Sequence, residues 1–431
     1  MSERRIIANC TLVTPRGFTA RKGEEMKDLY ILENAFILIQ DGIIAATGQM
    51  DDIEMLGLSG TAEWLDAKGR VVLPGFVDSH THLIFGGYRP DEFSWRLKGD
   101  SYMSIMERGG GIQSTVNATR ETSIEEFVER AEWFIEKMVE TGVTTVEAKS
   151  GYGLETDTEL KMLDAIEQLA KKEDKKIDIV ATFLGAHAVP KEYAGRTSEY
   201  CDLIINEMLP KVKDKAKFFD IFTEKNVFEI EDSRRLLKAA RDAGMKLKLH
   251  ADEIVQLGGA ELAAEMGAVS ADHLLHVSDE GIRQMAKAGV VATLLPLTAF
   301  ALKEPYAPAR KFIDGGCAVA LATDLNPGSC FSGSIPLTIA LACIYMGMSV
   351  EEVITALTLN GAAAVGMAEE IGSIEAGKKA NLVMLEFDSI HFLPYYVAMN
   401  CVNTTIHNGK IVYSNNPKDL NILNNPDNTN N

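Results

Sequence analysis

The sequence predicts an α/β protein, a (β/α)8 TIM-like barrel carrying a small β-sandwich built from both chain termini. Three observations predict it. From about residue 71 onward, short β-branched runs alternate with amphipathic segments, the rhythm of repeated βα units around a parallel sheet. Eight such runs can be placed between residues 71 and 371. The residues able to carry chemistry fall at the ends of these runs, where a barrel begins its active-site loops.

Residues 1–70 do not share that rhythm. They hold short alternating runs such as 36–39 and 43–46, joined by Asp-Gly and Lys-Gly turns, and residues 372–413 look similar. The two stretches are assigned to one composite β-sandwich, and residues 71–371 to the catalytic barrel. The first barrel strand is read as ending at His82, after the apolar run Val71-Val72-Leu73-Pro74-Gly75-Phe76-Val77. The clearest helix is Ile124–Glu140: its apolar residues keep helical spacing, Ser123 with Glu126 makes a capping box, and Gly142 stops it. Further strands are placed at 144–149, 177–185, 218–223, 247–250, 269–273, 290–295 and 318–323. Residues 414–431, rich in Asn and Pro with little to bury, read as a flexible tail.

Composition narrows the function. With 46% hydrophobic residues the 431-residue chain can bury a sizeable core. Its 43 Lys and Arg against 62 Asp and Glu give a formal charge of −19, which argues against nucleic acid and anionic membranes as partners. A small anionic substrate would therefore need a local cation. The six cysteines, at 10, 201, 317, 330, 343 and 401, show no C-x-x-C spacing and lie mostly in apolar surroundings, which suits reduced thiols in a cytoplasmic protein. The first residues lack the apolar core of a signal peptide, and the apolar stretch 335–348 is too short to span a bilayer.

The side-chain period of a strand is two, so His80 and His82 point the same way and can share one metal ion. His187 follows the third strand, His250 ends the fifth, His273 the sixth and Asp324 the eighth. Nitrogens from His80, His82 and His250 with an Asp324 oxygen would hold one divalent ion, Zn²⁺ or Fe, and leave a position open for water, which marks catalysis rather than structure. Such an ion lowers the pKa of its water toward about 7 and polarises any carbonyl it touches. Glu253, three residues past His250, can turn into the same cavity; the competing reading is an acid in the first turn of a helix. For His273 the competing reading is a buried histidine bonded to backbone. Arg89, in a Gly-rich loop beyond the first strand, can grip a carboxylate through two hydrogen bonds or form only a surface ion pair. Tyr152 and His187 can flank the same carboxylate. Asn326, Gly328 and Ser329 offer amides beside Asp324, or simply a tight Pro-Gly turn. His276, His391 and His407 are given no role.

These residues also carry a resemblance. Pro74-Gly75-Phe76-Val77-Asp78-Ser79-His80-Thr81-His82 resembles the opening signature of the amidohydrolase superfamily, and the segments 41–48 and 372–383 resemble its composite sandwich. Within it, Phe85-Gly86-Gly87-Tyr88-Arg89, the run 147–154, His250-Ala251-Asp252-Glu253 and the run 323–329 are similar to the imidazolonepropionase family. The resemblance covers nearly the whole chain. It implies metal-dependent hydrolysis of the cyclic amide of 4-imidazolone-5-propanoate to N-formimidoyl-L-glutamate, a step of histidine degradation, in a homodimer with one metal per subunit. It further implies catalytic roles for Glu253, His273 and Asp324, and substrate contacts from Arg89, Tyr152, His187, Glu253, Asn326, Gly328 and Ser329. Two-metal members usually carry a bridging carboxylated lysine at the end of the fourth strand. Here Thr223 and Glu224 stand there while Lys149 ends the second, so one metal is expected. Two rivals remain: a nucleobase-type deaminase of the same superfamily, which a carboxylate-binding arginine disfavours, and a non-enzymatic scaffold, which retention of all four ligands disfavours.

Overall fold

The computed structural model describes residues 3–56, 62–100, 108, 110–416 and 422–423. The chain opens with strands β1 (Arg4–Pro15), β2 (Leu29–Gln40), β3 (Ile43–Gln49), β4 (Glu63–Asp66) and β5 (Val71–Pro74). Eight parallel strands follow: β6 (Phe76–Asp78), β7 (Val143–Lys149), β8 (Asp178–Ala186), β9 (Phe218–Thr223), β10 (Lys246–Ala251), β11 (Ser270–His273), β12 (Val291–Leu294) and β13 (Val319–Leu321). Helices cover this sheet from outside. In Ile124–Glu140 the Ser123–Glu126 capping box forms, and the helix buries Phe127, Ala131, Phe134, Ile135, Met138 and Val139.

The last strands, β14 (Leu382–Leu385), β15 (Val402–His407), β16 (Lys410–Ser414) and β17 (Ile422–Leu423), return to the first ones. Together they make one nine-stranded mixed sheet in the order β16-β15-β14-β5-β1-β2-β3, with β4 beside β1 and β17 beside β4. β1 changes register twice between Ile7 and Leu12, so its first half pairs with β4 and its second with β5. Residues from both halves, Ile7, Ile37, Leu65, Val72, Leu382 and Ile406 among them, share one buried core. Most of the tail expected over 414–431 lies outside the described residues, but Ile422 and Leu423 pair with Leu65 and Trp64.

Two details of the sequence reading shift at the join. Val71–Pro74 belongs to the mixed sheet, paired with β1 and β14, and the barrel starts only at Phe76. The crossing residue is Gly75, where a Cβ would lie 2.2 Å from the Thr144 hydroxyl. Strand pairing then stops at Asp78, before His80 and His82. Those two residues bond instead to the far edge of the barrel: Asp324 N–H donates to the His80 carbonyl at 3.0 Å, and His82 N–H to the Leu325 carbonyl at 2.8 Å. The Asp78 carboxyl helps close the same gap, accepting the Thr323 amide at 2.9 Å and its hydroxyl at 2.6 Å.

A polar clamp ties sheet to barrel. Asp178, at the start of β8, lies 3.3 Å from His407 Nε2 on β15 and 3.4 Å from Lys379 Nζ. Burial pushes its carboxyl up, but the His407 hydrogen bond and charge, with Lys379 and Lys175, outweigh that and bring it from 3.8 down to about 2. A carboxyl depressed in the fold stabilises above its unfolded pKa and loses that contribution as pH falls through its folded one. The window is therefore about pH 4 to 2. Asp178→Asn should cost about 2 kcal/mol at neutral pH and flatten the acid limb of the stability curve. Urea unfolding of both proteins at pH 7 and pH 3 checks this; an equal gap at both pH values would refute it.

All six cysteines are unpaired, five of them buried. Among the described residues no helix is long and apolar enough to cross a membrane.

Candidate metal centre and active site

The C-terminal ends of the barrel strands surround a cavity of about 590 Å³. Its lining includes His82, Arg89, Tyr152, His187, His250, Glu253, His273, Asp324, Asn326, Gly328 and Ser329, and His80 lies just beneath, fully buried. The residues singled out from sequence thus converge from the ends of six different strands.

At the cavity floor the donors face one another. His80 Nε2 and His82 Nε2 lie 3.6 and 3.5 Å from Asp324 Oδ1, and the Nε2 atoms of His82 and His250 are 3.4 Å apart. His80 Nε2 and Asp324 Oδ1 are buried without a hydrogen-bond partner. On the far side, His80 Nδ1 donates to Asp272 Oδ2 at 2.6 Å and His250 Nδ1 lies 3.1 Å from Asp220 Oδ2, while His82 Nδ1 is buried without a hydrogen-bond partner. With the proton held on Nδ1, His80 turns its Nε2 lone pair toward Asp324, whereas at His250 burial is outweighed by the Asp220 charge, which holds this imidazole above the usual histidine range. Burial, then neighbouring positive charge, holds His80, His82 and His273 well below the usual histidine range. Neutral imidazoles, an unpaired carboxylate oxygen and orphaned acceptors are what a divalent cation requires. The residues fit a metal. Further groups of three, His80 with His250 and His273, and His82 with His187 and His250, bring their ligand atoms within 4.8 Å of one another.

The carboxyls around this floor differ. Burial pushes Asp324 up to about 6, against a 2.5 Å hydrogen bond from Thr298. Burial, then the Asp324 charge, pushes Glu253 up to about 8. Glu253 Oε2 stands 3.6 Å from His273 Nε2. Its loop is fixed from both sides, because Asp252 accepts four amides between Leu257 and Ala260 while Glu224 accepts the Ile254 amide at 2.8 Å. Asp252, His273 and Asp324 all adopt positive φ, at 49°, 76° and 53°, so backbone strain gathers at this end of the barrel.

Arg89 forms the opposite wall, with its Nη1 3.5 Å from Glu92 and its buried Nε unpaired. Gly328 leaves it room: a Cβ there would sit 1.7 Å from Arg89 Nη2. The turn after Asp324 uses its own polar groups. Asn326 Oδ1 accepts the Gly328 and Ser329 amides at 2.8 and 2.7 Å, and Asn326 Nδ2 donates to the Asp324 carbonyl and the Ser329 hydroxyl. These residues therefore shape the wall, and the amides that sequence offered to a ligand are engaged within the turn. His187 Nδ1 donates to the Gly151 carbonyl at 2.9 Å, and burial lowers its pKa to about 3, so its Nε2 is an acceptor.

Sequence reasoning missed the layer beneath. Lys149 is fully buried, 2.7 Å from both Glu147 and Asp220, and burial is outweighed by those carboxylates, which hold its ammonium above the ordinary range. It is an ion-pair partner of two acids. Lys248 lies 3.6 Å from Asp272 and donates to the Ser79 carbonyl at 2.9 Å. The signal was present: charged residues inside apolar strands, as in Phe218-Phe219-Asp220-Ile221-Phe222, cannot be buried without partners.

Comparison with known proteins agrees with this geometry. The model of the amidohydrolase family matches residues 71–412. The chain is 62% identical to the imidazolonepropionase of Phocaeicola vulgatus, over 96% of this chain and 100% of that protein. With the imidazolonepropionase of Clostridium tetani it shares 56% identity, over 95% and 98%. Among solved structures, 5-methylcytosine deaminase from Klebsiella pneumoniae superposes with a TM-score of 0.71 at 18% identity, covering 96% of this chain and 98% of that one, which shows a common fold. On the family match and the extent of these identities, the chain belongs to the amidohydrolase family and, within it, to the imidazolonepropionases, hydrolases of C–N bonds.

Proposed function

We propose that this protein adds water across the ring amide of 4-imidazolone-5-propanoate, releasing N-formimidoyl-L-glutamate, with one zinc or iron ion held by His80, His82, His250 and Asp324. The observation that carries the reading is the cavity's polarity: one arginine wall faces a histidine–carboxylate floor, matching a substrate with an anionic tail and a hydrolysable ring. A bound divalent cation would supply an activated water and polarise the ring carbonyl.

The chain's own groups do the rest. Arg89 and the Tyr152 phenol hold the propanoate, and His187 Nε2, an acceptor, takes the ring N–H. The ring carbonyl is thereby fixed over the floor instead of meeting it by chance. Neutral His273 donates to the carbonyl oxygen as negative charge builds there. Glu253 accepts the proton of the attacking water and returns it to the ring nitrogen as the C–N bond breaks, and Asp324 is the second acid able to share that transfer. Asn326, Gly328 and Ser329 keep the arginine wall in place. Homodimeric assembly and a cytoplasmic location accompany this reading. A nucleobase-type deaminase would have no use for the arginine.

The test is the ultraviolet decay of freshly generated 4-imidazolone-5-propanoate with purified protein, run beside a chelator-treated sample. Fast, chelator-sensitive loss with formimidoylglutamate as product supports the reading; no acceleration by metal-replete protein ends it. Within that assay Arg89→Ala should raise KM by ~10- to ~100-fold with kcat little changed, since a charged hydrogen-bond partner is worth about 1.5–3 kcal/mol. An unchanged KM moves the carboxylate site elsewhere.

A further inference from the structure

Glu159 is an acid with no contact to the cavity and an unusual set of partners. It lies in the first turns of the helix Thr156–Lys171, fully buried, and its carboxylate points back at the loop before the helix. Oε2 accepts the Gly151 amide at 3.0 Å, while Oε1 accepts those of Gly153 at 2.8 Å and Leu154 at 2.9 Å. The Ser150 hydroxyl also bonds to it. The helix N-cap is Glu155, so these bonds serve the loop rather than the helix end.

That loop would not hold its shape unaided. Gly151 has φ +108° and Leu154 φ +54°. A Cβ at 151 would approach the Leu184 carbonyl to 2.8 Å, and one at 153 would come equally close to the Glu159 amide. Between these residues stands Tyr152, 3% exposed, its ring 5.1 Å from His187 and 5.6 Å from His82. The Gly151 carbonyl is the group that takes the His187 Nδ1 proton. One buried carboxylate therefore ties down the residues on either side of Tyr152 by their amides, and one of them, Gly151, carries the carbonyl that sets the His187 tautomer.

We infer that Glu159 is a positioning residue for substrate recognition: by gathering the amides of Gly151, Gly153 and Leu154 it aims the Tyr152 phenol and, by holding Gly151 whose carbonyl takes the His187 Nδ1 proton, keeps His187 Nε2 as an acceptor toward the substrate ring. The inference rests on the substrate reading given above. Its signature is an effect on binding without loss of metal or of the chemical step, because Glu159 itself bonds only to the loop and to none of the floor donors.

Glu159→Gln keeps the shape but puts an NH₂ where one amide must be accepted, and Glu159→Asp keeps the charge but withdraws it. Kinetics on 4-imidazolone-5-propanoate, metal content and thermal midpoint are measured for both, beside Tyr152→Phe and Asp178→Asn. The expected result is a KM raised roughly tenfold in the Glu159 variants, kcat within about threefold, and wild-type metal content. Asp178→Asn, destabilised far from the loop, should leave KM unmoved. If Tyr152→Phe raises KM while the folded Glu159 variants keep it, or lose only kcat, Glu159 is a structural buttress and the inference fails alone. If neither Tyr152→Phe nor Arg89→Ala alters KM, the substrate reading fails and takes the inference with it. Should Glu159→Gln not fold, Glu159→Asp is read by the same criteria.

Discussion

Glu253→Gln will bind metal as the wild type does and turn over at least ~10²-fold more slowly, the span expected when a general acid–base is removed. The amide has the same shape and loses only the titrating proton. The variant should stay in place, because Asp252 and Glu224 hold its loop through backbone amides that the substitution does not touch. Burial and the Asp324 charge push this carboxyl up to about 8, close enough to neutrality for the proposed role of taking a proton and giving it back. Steady-state kcat with metal analysis of the same sample checks it. Full turnover in a metal-replete Glu253→Gln would remove the residue from the mechanism and leave Asp324 to do the proton transfer.

The second large effect lies one layer down. Lys149→Met should destabilise the fold by about 3–5 kcal/mol, since removing one member of a buried ion pair strands its partners. Here two carboxylates are stranded, Glu147 and Asp220, each 2.7 Å from the ammonium. Asp220 is also the group beside His250 Nδ1, so metal affinity should fall by ~10- to ~100-fold, as it does when the partner of a ligand is disturbed. Urea unfolding of the metal-free proteins isolates the first effect, and competition with a chelator of known affinity isolates the second. Wild-type values in both would show that Lys149 is spectator to the site.

How much of this could be read from the chain depended on which residues announce themselves. His80, His82, His250 and Asp324 were legible because strand ends are predictable places and imidazole is rarely clustered there by accident. The Ile124–Glu140 helix was legible from spacing and a local cap, both short-range features. The fate of Val71–Pro74 was not, because an apolar run of four residues is the same in either sheet and only its partners, β1 and β14, decide. Likewise the amides of Gly328 and Ser329 looked free in sequence; the Asn326 side chain that engages them is adjacent in the chain, but its rotamer is set by packing. Asp220, Asp272, Lys149 and Lys248 went unassigned since their partners come from different strands, and a lone charge in a strand names no partner.

The single residue between β5 and β6 gives the molecule an order of assembly. β5 is anchored on one side by β1, made early, and on the other by β14, made some three hundred residues later, so its second neighbour arrives only after a long loop has closed. Five residues beyond Gly75 comes His80, the first of the floor donors. A chain still on the ribosome with residues 382–385 inside the exit tunnel thus has its first two histidines hanging from a half-paired strand.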